Sequence, residues 1–495
     1  MFKKEAIWLL LTVGVWLCWA FWLVLSAQTL PPGHDELITM LQMRGHANPS
    51  FLPLASIVEQ QQIFSGPLAD FSDVSPMLLE TDVHPPLYYH LALFVSKIGF
   101  ESLPELRLLS LSMVSLGGAA LLYLSWRMSE KRFWAVFLSA VFLMSSGPVI
   151  YAAINVRNYG LLFLLFSLMS LGLFYVNKHK GWRHVGVCSA LAVLSVLALW
   201  THYFAALGVA ALFFGWFVFS VRTKFQALSW GLSSVFVALC AWPLKDWLDV
   251  HLHARDNQYE GFRGGLEFLS MLRIFSEQGA FGGNPESPWN MILILGVGFG
   301  VLGVVLLALM QKTSFFSRQY GTVFVMGSAL LLGLFWYTDK TLVTLDSSRY
   351  ALFLIVFFVP LLGWSATKIQ ILLPAIVTIG ATSWVMSDIQ FDPWGWENAF
   401  PESVEYLQDE THLAVFGGSR RGIEGAILYR AQTGFAAMPN GHKDFSRFVE
   451  NHDVSEVRFF EYLKAMPAGK KESWKKVLRE SGFEEGENSS WTLTP

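Results

Sequence analysis

The chain has 495 residues, of which 53% are hydrophobic, 15% aromatic and only 15% charged, with a mean hydropathy of +0.43. That is far more apolar than an ordinary soluble protein and indicates a polytopic membrane protein. The formal charge of −3 leaves no global basic surface, and no basic stretch interleaved with aromatics occurs, which excludes nucleic acid as a partner.

The first element, "MFKKEAIWLLLTVGVWLCWAFWLVLSAQ", opens with basic residues like a signal peptide. Its apolar run of about 20 residues exceeds a usual signal core, so it reads as a retained first transmembrane helix. Directly after it, "TLPPGHDELITMLQ" places the adjacent carboxylates Asp35 and Glu36 at the start of a short helix. Further along, "HPPLYYHLALFVSKIGF" (84–100) is apolar, and Pro85 and Pro86 suit a first helical turn. It reads as an outer-face juxtamembrane or re-entrant helix, because a full crossing would reverse the orientation of every later segment.

Spanning runs are expected at roughly 7–27, 105–126, 133–152, 159–176, 185–200, 203–221, 226–244, 290–310, 319–337, 349–366 and 369–387, about 11 in all. Lys and Arg collect on every second connection: Lys3 and Lys4; Arg127, Lys131 and Arg132; Lys178, Lys180 and Arg183; Arg222 and Lys224; Lys312 and Arg318; Lys368. By the positive-inside rule these connections face the cytoplasm, and the others face outward. From about 388 the apolar runs shorten. There "THLAVFGGSRRGIEGAILYRAQTG" reads as strand, Gly-rich turn and helix, followed by a charged helix at "KKESWKKVLRES".

The expected fold is therefore an all-α polytopic membrane protein with outer-face juxtamembrane helices and a small C-terminal α/β soluble domain. Residues 1–387 form the membrane domain, with a first outer loop at 28–104, and residues 388–495 form the outer-face domain. Cys18, Cys188 and Cys240 all lie inside apolar runs without metal-ligand spacing and read as packing residues.

The conspicuous polar residues all fall on the outward side. They are Asp35 and Glu36; Glu80, Asp82 and His84; Arg157 and Tyr159 in "NVRNYG"; His202 and Tyr203 in "THYF"; and Asp346, Arg349 and Tyr350 in "LDSSRY". Charges at the mouths of helices are costly unless they face protein, water or ligand, so a polar cleft at the outer interface is expected. A carboxylate can take the proton of an attacking hydroxyl or amine, and arginines can stabilise charge growing on a phosphate leaving group. Such a cleft between water and lipid suits a donor whose phosphate carries a long isoprenoid chain.

The order of these motifs, "HDE", "HPPLYYHLALF", "NVRNYGLLFLL", "THYFAAL" and "SSRYALFLIVFFVPLL", resembles the GT-C superfamily of integral-membrane glycosyltransferases over roughly residues 1–385. The bacterial dolichyl-phosphate-mannose and protein O-mannosyltransferase-like members are closest in pattern, and the lipid A aminoarabinose transferase is more distant. The resemblance implies a polyprenyl-phosphate sugar donor, a glycan, lipid or protein acceptor, and inversion at the anomeric carbon. It implies Asp35 as the catalytic base with Glu36 beside it, and Asp82, or less well Glu80, as the acid before the HPP motif. Arg157 and Arg349 would contact the donor phosphate, with His84, His202, Tyr159, Tyr203 and Tyr350 lining the cleft. Some relatives carry Lys where this chain has His84. Relatives also differ in metal dependence, so a divalent cation shared by Asp35 and Asp82 stays open, and no other cofactor is implied. A bacterial inner membrane is implied, with the N-terminus cytoplasmic and the active face periplasmic.

Plainer structural roles compete at each position. The acids favour a helix start, His84 can cap the helix after it, His202 can sit in an interfacial aromatic belt, and Arg349 can pair with Asp346. A transporter or lipid flippase is the rival function, but its charges belong near the bilayer midplane and its sequence shows repeats, neither of which is seen here. A non-catalytic GT-C-like scaffold is the second rival.

Overall fold

The computed structural model describes residues 2–29, 34–45, 54–56, 58–59, 66–81, 84–249, 300–310, 315–338, 352–368, 406–416, 435–437, 443–460, 468–486 and 490–493. In chain order the helices are α1 (Phe2–Thr29), α2 (His34–Gln42), α3 (Phe71–Thr81), α4 (Leu87–Lys97), α5 (Leu103–Met128), α6 (Phe133–Ser145), α7 (Gly147–Ile154) and α8 (Tyr159–Val176). They continue with α9 (Trp182–Thr201), α10 (Ala205–Ser220), α11 (Lys224–Ala241), α12 (Gly300–Met310), α13 (Phe315–Thr338), α14 (Leu352–Ser365), α15 (Phe445–Asn451) and α16 (Ala468–Glu480). The chain forms two compact units, one of residues 1–29, 82–95 and 100–394, the other of residues 30–81, 96–99 and 395–495.

The first unit is helical. Among the described residues five helices, in α1, α5, α8, α9 and α11, are long and apolar enough to cross a bilayer. Exposed apolar side chains recur along α1 (Leu10, Leu17, Phe21) and α11 (Phe225, Leu228, Leu232, Val235, Leu239), a surface that only lipid would solvate without cost. The protein is an integral membrane protein. Cys18 on α1 is exposed, so it does not pack into the interior as its apolar surroundings suggest, whereas Cys188 is buried.

Local sequence sets the helix ends. At the start of α5, Glu105 reaches back to accept the Ser102 N–H at 2.9 Å. At the start of α11, Thr223 Oγ1 accepts the Gln226 N–H at 3.2 Å while Gln226 Oε1 accepts the Thr223 N–H at 3.1 Å, a reciprocal cap. The expected span over 133–152 is corrected. It is two helices, α6 and α7, bent by 65°, and it counts as a sixth crossing only if the bent pair is one broken span. Ser146 separates them and Pro148 occupies the first turn of α7, where its missing N–H costs no helical bond. α10, α12 and α14 are shorter apolar helices. The expected span at 369–387, and residues 290–299 of the one before α13, lie outside the described residues.

α14 is buried along its whole length, as a helix surrounded by others must be when it is apolar on every face. Gly363 makes this approach feasible: a Cβ there would stand 2.8 Å from Ser125 Cβ and 3.1 Å from Ser125 Cα. Close backbone contact at a small residue is how helices pack when lipid removes the hydrophobic drive between them. α4 follows Pro86 directly and has 11 residues. At 1.5 Å per residue it extends about 16 Å, well short of a bilayer core of about 30 Å.

The second unit contains a six-stranded sheet in the order β1-β3-β2-β4-β6-β5. The strands are β1 (Leu54–Ser56), β2 (His412–Phe416), β3 (Phe435–Ala437), β4 (Glu456–Phe460), β5 (Phe483–Glu485) and β6 (Ser490–Leu493). β2 pairs in parallel with β3 and β4, while the other pairs are antiparallel. Leu413 and Val415 of β2 and Val457 and Phe459 of β4 share a core with Phe445 of α15 and with Trp474 and Leu478 of α16. The expected strand after Thr411 and the charged helix over "KKESWKKVLRE" are both present; the Gly-rich turn at 417–422 lies outside the described residues. Thr411 donates through N–H and Oγ1 to Asp409 Oδ1 at 2.9 and 2.8 Å, which holds the Asp409 carboxyl below its usual range.

One edge of this sheet comes from the far end of the sequence. β1 lies in the first loop and pairs antiparallel with β3, with Ala55 opposite Ala436. Directly opposed residues in an antiparallel pair have Cα atoms about 4.5–5.5 Å apart, within the range a disulfide accepts. Cysteines introduced as Ala55→Cys and Ala436→Cys are therefore expected to join on oxidation, so that fragments from a cut between them stay together on a non-reducing gel. Fragments that separate would refute this register.

Candidate functional site

Three turns far apart in sequence meet in the first unit. The first carries His84 and leads into α4, whose first turn carries Tyr88 and Tyr89. The second joins α7 to α8 and carries Asn155, Arg157, Asn158 and Tyr159. The third joins α9 to α10 and carries His202, Tyr203 and Phe204. The His84 and His202 rings lie edge to face with centroids 5.2 Å apart, and the His84 ring stacks on Tyr203 at 6.0 Å. The Tyr159 ring also lies near His202, with centroids 5.9 Å apart. Arg157 Nη1 donates to the Tyr89 hydroxyl, joining the first and second turns. Asn158 Nδ2 donates to the Thr201 carbonyl at 3.1 Å, joining the second and third.

The backbone fixes these groups. His202 ends α9 with an extended conformation, and its Nδ1 accepts the Phe204 N–H at 3.1 Å. With Nδ1 used as acceptor, the neutral ring carries its proton on Nε2. The second turn is pinned to α5, where Ser110 Oγ donates to the Asn155 carbonyl at 2.8 Å. Gly160 sits at that crossing, and a Cβ there would stand 3.0 Å from the Ala152 carbonyl oxygen and 3.1 Å from that of Ser110. Any side chain there would crowd both carbonyls and push the start of α8 away from α5 by a few tenths of an ångström.

Among the described residues the cluster is positive. Arg157 is 5% exposed, so its permanent charge is held away from bulk water. α8 begins beside it and contributes the positive end of its dipole. Asn155 and Asn158 are each 1% exposed. Both side-chain atoms of Asn155, and Oδ1 of Asn158, find no hydrogen-bond partner among the described residues. A buried polar group left unmatched costs roughly 1–3 kcal/mol, so these three atoms are an expensive feature to keep. The arrangement suits a ligand that carries an anionic group and hydroxyls together.

No protein-family model and no curated protein matches the chain. Among solved structures it is similar to the crystal structure of ArnT from Cupriavidus metallidurans bound to undecaprenyl phosphate. The identity is 13%, over 86% of this chain and 85% of that one, with a TM-score of 0.37. It is similar also to the same protein in the apo state, at 12% identity over 87% and 86% of the two chains, with a TM-score of 0.38. Superpositions this loose leave the reading to rest on the residues themselves.

Of the residues singled out by sequence, His84, Arg157, Tyr159, His202 and Tyr203 come together here. Asp35 and Glu36 lie on α2 of the second unit. Glu36 is 1% exposed, while the side chain of Asp35 is outside the described residues. Asp82, Asp346, Arg349 and Tyr350, and the side chain of Glu80, are also outside them. Among the described residues no three His, Cys, Asp or Glu side chains stand together to hold a metal ion. The cation considered on Asp35 and Asp82 falls on carboxylates outside the described residues.

Sequence reasoning gave no role to Tyr89, Asn155 or Asn158, although all three lie inside the quoted motifs. It also passed over Arg107, which looks like an ordinary charge at the start of a span. Arg107 is 2% exposed, and its Nη1 donates to the Ala27 carbonyl at 3.1 Å, in the last turn of α1. A cation there complements the negative end of the α1 dipole.

Proposed function

We propose that the protein is a GT-C-type glycosyltransferase that moves a sugar from a polyprenyl-phosphate donor to an acceptor at the outer face of a bacterial inner membrane. The observation that carries this reading is the meeting of buried His84, Arg157, Tyr159 and His202 with half-buried Tyr203, from three separate motifs, in one polar cluster within a largely apolar bundle. Buried polar groups in a membrane protein are retained for function far more readily than for stability.

In the proposed reaction Asp35 takes the proton from an acceptor hydroxyl or amine. The freed lone pair attacks the anomeric carbon from the face opposite the phosphate, a new bond to carbon forms, and the carbon–oxygen bond to the phosphate breaks with inversion. The electron pair leaves on the polyprenyl phosphate, where Arg157 and Arg349 stabilise it. His84, His202, Tyr159, Tyr203 and Tyr350 orient the donor, Glu36 lies beside the base, and Asp82, or Glu80, supplies the acid before the HPP motif. Lipid-facing helices give the isoprenoid chain of the donor access from the bilayer.

The test is transfer of radiolabelled sugar by purified full-length protein from a panel of polyprenyl-phosphate donors, with membrane extracts as the acceptor source. Incorporation from one donor class is expected. If no donor supports incorporation and the protein instead moves carrier lipid across vesicles, the flippase reading replaces this one.

A further inference from the structure

The proposed reaction needs recognition of the sugar as well as the phosphate, and the unmatched atoms of the second turn differ in kind from a phosphate site. Asn158 commits Nδ2 to the Thr201 carbonyl, which fixes the amide orientation and leaves Oδ1 as an acceptor only. Asn155 leaves both an acceptor, Oδ1, and a two-hydrogen donor, Nδ2. Its backbone carbonyl is already taken by Ser110 Oγ and the Arg157 N–H, at 2.8 Å each. The turn thus offers two acceptor oxygens and one donor, all buried, from residues that flank Arg157 in the sequence.

Phosphate oxygens only accept hydrogen bonds from their surroundings at neutral pH, so two carboxamide oxygens would repel them. Hydroxyl groups both donate and accept, and neighbouring ring hydroxyls match an acceptor–donor carboxamide. From this we infer that Asn155 and Asn158 are specificity-determining contacts to the sugar hydroxyls of the donor, next to the phosphate held by Arg157. The inference rests on the proposed donor class. It places the sugar–phosphate junction at the 155–158 turn, with the charged half read by Arg157 and the neutral half by the flanking carboxamides.

Asn155→Leu tests it, because leucine has nearly the same volume and removes only hydrogen-bonding capacity. An unmatched buried amide replaced by an apolar group of similar shape is neutral or stabilising for the fold. The melting temperature without ligand is therefore expected to hold or rise. Two probes are used: polyprenyl phosphate without sugar, and the glycosylated carrier that the wild type turns over. Binding of the sugar-free carrier is expected to be unchanged, while binding and transfer of the glycosylated carrier fall about tenfold or more. Deoxy donors supply the second measurement. The analogue lacking the hydroxyl read by Asn155 is about tenfold poorer for the wild type, yet no poorer than the parent donor for Asn155→Leu, a non-additivity that marks direct contact.

Equal weakening of both carriers would overturn the inference in favour of a structural or phosphate role. Unchanged handling of both would overturn it in favour of bound water. Should Asn155→Leu fail to fold, the same comparison with Asn155→Ala decides between these outcomes. A wild type that binds neither carrier removes the proposed function and this inference together, whereas a wild type that transfers sugar with no coupling at Asn155 removes the inference alone.

Discussion

If the proposed function holds, Asp35→Asn is expected to lower sugar transfer by about 10²- to 10⁴-fold at matched expression, the range that a positioned general base contributes. The substitution keeps the shape of the side chain and removes its ability to take a proton, so donor binding is expected to survive while kcat falls. Glu36 behaves differently. Successive residues of a helix do not face the same way, and Glu36 is 1% exposed on α2. Glu36→Gln disturbs a buried carboxylate, and its first effect is a lower melting temperature. The comparison is a transfer assay paired with thermal unfolding of each variant. Near-normal kcat in Asp35→Asn, with kcat abolished and melting unchanged in Glu36→Gln, would move the base by one residue.

Arg157→Leu is expected to cost about 10²- to 10³-fold in kcat/KM for the donor, the loss seen when one preorganised stabiliser of a developing negative charge is removed from a dry site. Burial makes the effect large, because the guanidinium works where water does not screen it. Arg157→Lys restores little. A lysine carries the charge as a point, and it lacks the planar fork that can serve Tyr89 and a phosphate oxygen at once. Full activity in a correctly folded Arg157→Leu protein would remove the phosphate role from this turn.

Much of the site can be read in the sequence because it breaks a rule that the rest of the chain obeys. In a chain this apolar, "NVRNYG", "THYF" and "HPPLYY" stand out as polar insertions between spanning runs, and each proves to be a turn of the buried cluster. Sequence does not show which of the polar residues in a turn are matched. Arg157 attracts notice by its charge, yet the unpaired atoms belong to Asn155 and Asn158, and that depends on where Thr201 and Ser110 fall in space. The α6–α7 break is hidden from hydropathy because the apolar run continues through it, although Gly147-Pro148 is a recognisable helix-start signal. β1 left no trace at all. Leu54–Ser56 is too short to show alternation, and it becomes a strand because the β3 edge offers hydrogen bonds to it.

That strand has a consequence for the birth of the protein. β1 and its partner β3 are separated by roughly 380 residues, so at 5–20 residues per second the first is made about 20 to 80 seconds before the second exists. Throughout that interval the early segment has no neighbour to complete its ladder. Closing so long a loop is a late event in any folding route. A chain that stops short of β3 leaves the segment permanently unpaired, within reach of proteases and chaperones. The ordering of residues 54–56 is thus a signal that synthesis has passed residue 437.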